Sequence, residues 1–190
     1  RVHFSLISSA RAMRSIARAQ EKGFQVTADT AAHYLHLTES DIEGFDAHCH
    51  VSPPFRTLED RDAMRQGVAD GVISAICSDH QPHEADAKLD AFPATEPGIS
   101  SLETLLPLSL KLVSEGAMDL MTALRALTVS PANVMGLEVG RLTIGGLADV
   151  AIFDPNANWE VGTETWLSQG RNTPYWGQRL TGRMRYTLLG

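Results

Sequence analysis

Residues 73–83 read I-S-A-I-C-S-D-H-Q-P-H, an apolar segment that ends in a cluster of polar side chains. The apolar run Val72–Cys77 is bounded by Gly71 and Ser78, which is typical of a buried strand. A strand that is apolar without alternation is covered on both faces, as in parallel sheets flanked by helices. This segment therefore predicts an α/β protein with a parallel sheet.

Four polar side chains follow this strand directly: Asp79, His80, Gln81 and His83. In open α/β sheets and in (β/α)8 barrels, functional residues collect at the C-terminal ends of the strands. Asp79 could bind a metal ion or accept a proton, and the histidines could bind, donate or accept. The alternative is a turn in which Asp79 caps backbone amides and the histidines are solvated. The strand-end position favours the functional interpretation.

The N-terminal part of the sequence has the pattern of a strand, a helix and a second strand. Residues 2–7 and 24–28 are the predicted strands. Between them, Ser8 or Ser9 caps a predicted helix that runs to Lys22. The crossover in such a unit places the two strands parallel. Further helices are predicted for residues 57–69, from Ser100 or Ser101 to 114, for 119–127 and from 130 onward.

The sequence changes in character near Val139, where helical patterns give way to short strands with glycine turns. Strands are predicted for residues 150–153, 159–161, 166–167 and 183–189, with a turn at 154–156. We therefore expect two parts. Residues 1–138 form the α/β part, and residues 139–190 form a small β annex.

Composition and charge narrow the classes of partner. The 190 residues carry a net charge of −7 without a basic run, which argues against nucleic acid and membranes as partners. Cys49 and Cys77 form no metal-type pair, and two cysteines fit a reduced, cytoplasmic protein. The sequence begins at Arg1 beside one predicted strand and ends at Gly190 beside another. We expect it to be part of a longer chain.

Two pairs of histidines have spacings that metal sites use. His33 and His36 lie three residues apart, which could place two ligands on one helical face. The favoured alternative has one ring against the sheet and the other in solvent. His48 and His50 form an H-x-H pair, but the two prolines that follow predict an extended loop in place of a strand.

Arg56 follows these prolines in the stretch V-S-P-P-F-R. Its guanidinium could hold an anionic substrate. It could equally pair with Asp60 or Asp62, which lie a short distance along the chain. Both interpretations remain open at the level of sequence.

Five motifs together resemble the bacterial type of dihydroorotase, within the amidohydrolase superfamily. They are V-T-A-D-T-A-A-H-Y-L-H-L-T, V-S-P-P-F-R-T-L-E-D-R-D-A-M, S-D-H-Q-P-H, E-P-G-I-S-S-L-E-T-L-L-P-L and N-T-P-Y-W-G, and the resemblance covers nearly the whole chain. It implies the C-terminal half of a (β/α)8 barrel over residues 1–138 and part of a β-sandwich over residues 139–190. It also implies hydrolysis and closure of the dihydroorotate ring in pyrimidine synthesis, with one or two zinc ions.

Three positions match the functional residues of the family that the sequence resembles. Asp79 corresponds to the family's catalytic and metal-binding aspartate. His83 corresponds to a substrate-binding histidine, and Gly98 lies in the loop that offers backbone groups to the substrate. The resemblance also makes Arg56 a candidate for substrate binding.

Three other positions depart from the family pattern. Leu6 and Tyr34 stand where the family has metal-binding histidines, and Ser52 replaces an asparagine that helps to bind substrate. Leucine cannot coordinate zinc, and a neutral tyrosine is a rare ligand. Zinc in this family lowers the pKa of a bound water to about 7 and polarises the carbonyl, so loss of its ligands removes the nucleophile.

These departures favour a non-catalytic, dihydroorotase-like subunit that accompanies aspartate transcarbamoylase, forms homo-oligomers, or does both, without a cofactor. The alternative is an active zinc-dependent dihydroorotase or related cyclic amidohydrolase, with His33, His36 or His80 recruited as replacement ligands. A third interpretation is a module that only binds dihydroorotate through His83 and Arg56.

Overall fold

The computed structural model describes all 190 residues. Its sheet contains three parallel strands in the order β1 (Val2–Phe4), β2 (Val26–Ala31) and β3 (Ala75–Cys77). Val2 pairs with Val26, and Asp29 pairs with Ala75. The predicted parallel sheet is confirmed. All three strands differ in their bounds from the prediction. β1 is shorter than predicted because Ser5 and Leu6 turn toward the carboxylate of Asp29.

Two capped helices cover this sheet, α1 (Ala10–Glu21) and α2 (Leu58–Ala69). The Ser9 side chain caps α1 by accepting a hydrogen bond from the Ala12 amide. Thr57 and Asp60 form a reciprocal capping box at the start of α2. Asp60 also accepts a hydrogen bond from the Ala10 amide at 2.7 Å, so one carboxylate joins the beginnings of both helices.

Three further helices follow, α3 (Leu105–Ser114), α4 (Leu120–Leu127) and α5 (Val129–Met135). Asp119 caps α4, as predicted. The predicted start of α3 at Ser100 or Ser101 is wrong by about one turn. The Ser100 amide donates to the Asn172 carbonyl at 2.9 Å and the Ser101 amide donates to the His80 ring at 3.0 Å. These long-range bonds hold residues 100–104 outside the helix.

An antiparallel pair completes the chain, β4 (Val150–Glu160) and β5 (Arg179–Leu188). The predicted turn at residues 154–156 is wrong, because β4 continues through it. The pairing shifts register between Asp154 and Asn158, which accommodates Pro155 within a strand. The predicted strand at residues 166–167 is absent. No helix of the chain has both the length and the apolar character needed to cross a membrane.

Two groups of buried apolar residues form the interior. The larger one lies between the sheet and the helices and includes Met64, Leu112 and Val161. Because Val161 and other residues beyond 150 belong to it, the two predicted parts share this core. The smaller one, here called the strand-end cluster, consists of Ala31, Tyr34, Cys49, Val51, Phe55 and Ile99. The division at residue 138 remains a prediction.

Candidate functional site

Asp79 lies two residues beyond β3, at the C-terminal edge of the sheet. Its backbone is left-handed, with φ of 47°, a conformation that aspartate tolerates better than most residues. The Gln81 side-chain amide donates a hydrogen bond to Asp79 Oδ1 at 2.7 Å. Burial raises the pKa of the Asp79 carboxyl, although the Gln81 hydrogen bond opposes this shift. The carboxylate is thus held in a polar position at the strand end.

The loop after Asp79 is fastened by one buried amide side chain, that of Asn172. Asn172 Oδ1 accepts a hydrogen bond from the His83 amide at 2.8 Å, and Asn172 Nδ2 donates to the Gln81 carbonyl at 2.9 Å and to the Gly98 carbonyl at 3.0 Å. The Asn172 side chain therefore uses three of its hydrogen-bonding positions on backbone groups. It connects two loops that are distant in sequence.

His83 and Gly98 lie against each other beside this amide. The Nε2 of His83 donates to the Pro97 carbonyl at 3.0 Å. A Cβ atom at Gly98 would lie 2.6 Å from Gln81 Cβ and 3.0 Å from His83 Nε2, and Gly98 has φ of +136°. Only glycine fits this close approach. The structure thus brings two of the predicted substrate-binding residues together near Asp79.

His80 has a structural contact at the same edge. Its Nδ1 accepts hydrogen bonds from the amides of Ser101 and Leu102, at 3.0 and 3.2 Å. This nitrogen therefore has its lone pair occupied by the backbone ahead of α3. The Ser101 hydroxyl donates to the Ser78 carbonyl at 2.6 Å and closes the turn.

The ends of β1 and β2 have a different character. Leu6 has a left-handed backbone with φ of 55°, and its side chain packs against the strand-end cluster. Tyr34 is buried in a short 3-10 helix, Ala32–Leu35, that follows β2. Its hydroxyl donates to the Pro53 carbonyl at 2.5 Å. Burial, followed by the charge of Asp79, raises the pKa of this hydroxyl, so it remains protonated.

His33 precedes Tyr34 in the same 3-10 helix, and its side chain is 1% exposed. Its ring packs edge-on against Tyr34 and Phe55, with centroid distances of 4.4 and 5.8 Å. Neither ring nitrogen has a hydrogen-bond partner, and Nε2 lies 3.9 Å from Asp79 Oδ2. Burial lowers the pKa of His33 to about 3, so the ring is neutral.

His36 does not join His33, and the expectation that one ring of the pair lies in solvent is wrong. His36 Nε2 donates to the Leu108 carbonyl at 2.8 Å, which leaves Nδ1 to accept from Arg65 at 3.3 Å. Burial lowers the pKa of His36 to about 4. His36 therefore connects the end of β2 to α3.

The H-x-H pair is divided between separate contacts. Residues Ala47–Cys49 form a 3-10 turn in place of the predicted extended loop. His48 Nδ1 pairs with Asp46 at 3.0 Å, whereas His50 Nδ1 contacts the Thr95 hydroxyl at 2.8 Å. The two imidazoles therefore have separate partners.

Ser52 and Arg56 lie on the exposed part of the following loop. Their side chains make no hydrogen bond within the chain, and Arg56 forms no ion pair with Asp60 or Asp62. The Asp60 carboxylate accepts hydrogen bonds from the Ala10 amide and the Thr57 hydroxyl, and Arg61 pairs with Asp62 at 2.8 Å. The positive charge of Arg56 still acts on the Tyr34 hydroxyl, where it opposes the rise in pKa. Its charge also helps to lower the pKa of the Asp60 carboxyl, so the guanidinium is exposed and unbonded but not electrostatically isolated.

The residues of this chain do not form a complete zinc site by themselves. A structural or catalytic zinc ion needs three or four nitrogen, sulfur or oxygen ligands at about 2.0–2.3 Å. No group of three or more His, Cys, Asp or Glu residues in the chain has such an arrangement. The Leu6 side chain has no atom that can coordinate a metal ion, and the Tyr34 hydroxyl is already hydrogen-bonded to the Pro53 carbonyl. Asp79 is left with one neutral imidazole at 3.9 Å.

Sequence reasoning missed two residues of this edge, Asn172 and Asp29. Asn172 opens the motif N-T-P-Y-W-G, but nothing local to that motif indicates which groups its side chain would bind. Asp29 is the one charged residue of β2, V-T-A-D-T-A, and a carboxylate within a predicted buried strand could have drawn attention. Both act through partners that are distant in sequence.

A parallel sheet flanked by helices, with polar residues at the C-terminal strand ends, defines this chain as part of a barrel-type α/β protein. Residues 3–173 match the amidohydrolase family, and the chain belongs to that family. It is 51% identical over its whole length to the dihydroorotase-like protein of Pseudomonas putida, and 42% identical over 99% of its length to the dihydroorotase of Geotalea daltonii. It spans 44% of the length of each relative.

Solved structures support the same fold. The L-hydantoinase of Arthrobacter aurescens superposes on all of this chain and 43% of its own, with a TM-score of 0.88 and 25% identity. The inactive dihydroorotase-like domain of the Chaetomium thermophilum CAD-like protein covers 98% of this chain and 49% of its own, with a TM-score of 0.70 and 20% identity. The predicted fold class, part of a (β/α)8 amidohydrolase barrel with a β annex, is confirmed. The chain is an amidohydrolase-family protein that is similar in sequence to dihydroorotases and dihydroorotase-like proteins and in fold to a hydantoinase.

Proposed function

We propose that this protein is a non-catalytic member of the dihydroorotase family that supports aspartate transcarbamoylase as a structural subunit. The observation that carries the proposal is the pair Leu6 and Tyr34. One side chain has no donor atom, and the other is a buried, protonated hydroxyl bonded to Pro53. Both occupy positions where the resemblance places metal-binding histidines.

Replacement ligands would have to come from His33, His36 or His80. His36 directs its ring at Leu108 and Arg65, and His80 Nδ1 accepts two backbone amides. His33 is the one of the three with a ring nitrogen within 4 Å of the Asp79 carboxylate, at 3.9 Å. Within the part of the protein that this chain spans, 44% of its relatives' length, Asp79 and one imidazole are fewer ligands than a zinc site needs, which supports the non-catalytic interpretation.

The active enzyme remains the second candidate, because Asp79, His83 and Gly98 keep the positions that dihydroorotases use and several relatives bear that name. Zinc content separates the two. We expect the complete natural polypeptide, purified with zinc present and then dialysed, to hold well under one zinc per chain and to leave dihydroorotate unchanged. Stoichiometric zinc with turnover at enzymatic rates would establish the active enzyme instead.

The double variant Leu6→His plus Tyr34→His sharpens this test. It places two imidazoles at neighbouring strand ends beside Asp79, and we expect bound zinc to rise toward one per chain. Activity should return less completely, since Ser52 still replaces the family's asparagine and catalysis requires positions held within about 0.5 Å. Leu6→His alone is the matched control and should change bound zinc little.

The partner requires its own experiment. We expect the complete polypeptide to elute together with the aspartate transcarbamoylase of the same organism in size-exclusion chromatography with light scattering. The polypeptide alone gives its own oligomeric state in the same measurement. Separate elution at micromolar concentrations would remove the partner from the proposal and leave the metal result untouched.

A further inference from the structure

The carboxylate of Asp29 lies at the end of β2 and is shared by residues from β1 and the turn that follows it. Asp29 Oδ1 accepts a hydrogen bond from the Leu6 amide at 2.8 Å. Asp29 Oδ2 accepts from the Ser5 hydroxyl at 2.9 Å and contacts His3 Nε2 at 2.7 Å. Asp29 is only 9% exposed, so this carboxylate depends on its protein partners for stabilisation.

The third strand also reaches the same carboxylate. The Cys77 thiol, at the end of β3, lies 3.6 Å from Asp29 Oδ1 and the same distance from the Thr30 carbonyl. Burial and the Asp29 charge raise the pKa of Cys77 to about 12, so the sulfur keeps its proton and can donate. Groups from all three strands thus converge on Asp29.

The Leu6 contact has a geometric consequence. Leu6 has φ of 55°, which is unfavourable for a residue with a branched side chain. Its amide donates to the Asp29 carboxylate in place of a backbone carbonyl. The next amide, that of Ile7, donates to the Asp29 backbone carbonyl at 3.0 Å. Asp29 therefore holds two successive amides on either side of the unfavourable conformation.

We infer that Asp29 is the positioning residue of this strand-end face. Its carboxylate joins the ends of β1, β2 and β3 and maintains the left-handed turn that presents the side chain of residue 6. A charged acceptor strengthens such hydrogen bonds, and four donors satisfy most of its lone pairs. The inference concerns the geometry of the face and does not depend on whether the protein hydrolyses a substrate.

Amide hydrogen exchange measured by NMR on the complete natural polypeptide tests this role. In the wild type, the Leu6 amide should exchange slowly. In the Asp29→Asn variant, a side-chain NH2 group replaces an acceptor that faces the Leu6, Ser5 and His3 donors. The ratio of Leu6 exchange to Ile7 exchange should therefore be at least about tenfold higher than in the wild type. The Ile7 amide is the internal reference, because its acceptor is the backbone of residue 29. General destabilisation would accelerate both amides together.

Asp154→Asn makes the same chemical change at a carboxylate that pairs with Arg185 on the β4–β5 hairpin, and it should leave the Leu6 amide unchanged. A Leu6 to Ile7 ratio that stays the same in Asp29→Asn would overturn the inference. If the wild-type Leu6 amide exchanges as fast as an amide in an unstructured peptide, the inference is also overturned, and this result can be obtained even if the variant does not fold. Loss of Leu6 protection on adding a chelator to the wild type would also overturn it, because a metal ion would then be holding the turn.

Discussion

The end of β3 and the ends of β1 and β2 lie at the same edge of the sheet but differ in chemistry. The end of β3 is polar, and hydrogen bonds to side chains and carbonyls hold Asp79, Gln81 and His83 there. At the ends of β1 and β2, Tyr34 belongs to the apolar strand-end cluster and Leu6 packs against it. The comparison shows that an apolar cluster and a polar loop can lie side by side at one edge of a sheet, since packing and hydrogen bonds are local to each strand end.

The two regions should therefore respond differently to substitution. Changes at the apolar end should cost stability in proportion to the buried surface they remove. Changes at the polar end should cost stability only where a buried hydrogen bond is lost, and little where a side chain is exposed. All of the following measurements use the complete natural polypeptide.

The largest effect is expected for Tyr34→Ala, which removes an aromatic ring packed between His33 and Phe55. The free energy of unfolding should fall by about 3–5 kcal/mol. Tyr34→Phe keeps the ring and loses only the bond to Pro53, so it should cost about 1 kcal/mol. Urea unfolding gives both values. Tyr186→Ala is the control at a position that is 68% exposed, and an equal loss there would contradict the comparison.

A smaller but substantial effect is expected for Asn172→Ala at the polar end. The change leaves the His83 amide and the carbonyls of Gln81 and Gly98 without their partner, at a cost of about 2–4 kcal/mol. Asn156→Ala, at an exposed side chain on β4, should cost less than about 0.5 kcal/mol. Equal urea midpoints for the two variants would mean that the loops are held by other contacts.

The neutral ring of His33 predicts a pH dependence of stability. Its folded pKa of about 3 lies below the ordinary value of 6.5, so its contribution is complete above pH 6.5 and is lost as the pH falls toward 3. The slope is at most about 1.4 kcal/mol per pH unit. His36, with a pKa of about 4, acts in the same direction, and Asp79, whose pKa is raised, acts in the opposite one.

His33→Phe should make this dependence less steep, because phenylalanine suits the aromatic surroundings and carries no proton. Urea midpoints measured at about pH 8 and about pH 5 give the slope for both proteins. The value at about pH 8 serves as the control, since His33 is neutral there in the folded and the unfolded state. An unchanged slope in His33→Phe would assign the acid sensitivity to other groups.

The smallest effect on stability is expected for Arg56→Gln. Arg56 is exposed and its side chain has no hydrogen bond, so the free energy of unfolding should change by less than about 0.5 kcal/mol. The neighbouring Phe55→Ala removes a ring that is 4% exposed and should cost about 3–5 kcal/mol. If the protein binds dihydroorotate, calorimetry should show weaker binding in Arg56→Gln. A large loss of stability in that variant would indicate a structural role for the guanidinium.

Several features could be predicted because their causes lie within a few residues. The caps of α2 and α4 at Thr57 and Asp119 are local hydrogen-bond patterns. The position of Asp79 at the end of β3 follows from an apolar run and its boundary. The start of α3 could not be predicted, because the amides of Ser100 and Ser101 are taken by Asn172 and His80. Helix propensity does not register such distant partners.

The sequence by itself determined the class of fold, the parallel sheet and the absence of metal-binding side chains at Leu6 and Tyr34, since each of these depends on residue type or short-range pattern. Only the tertiary structure decided that Asn172 fastens the polar loops, because its three contacts span 74 to 91 residues. It also decided that groups from the ends of three strands contact the Asp29 carboxylate. Contacts between residues far apart in sequence form only when the folded sheet brings the strand ends to a common edge, so no local pattern encodes them.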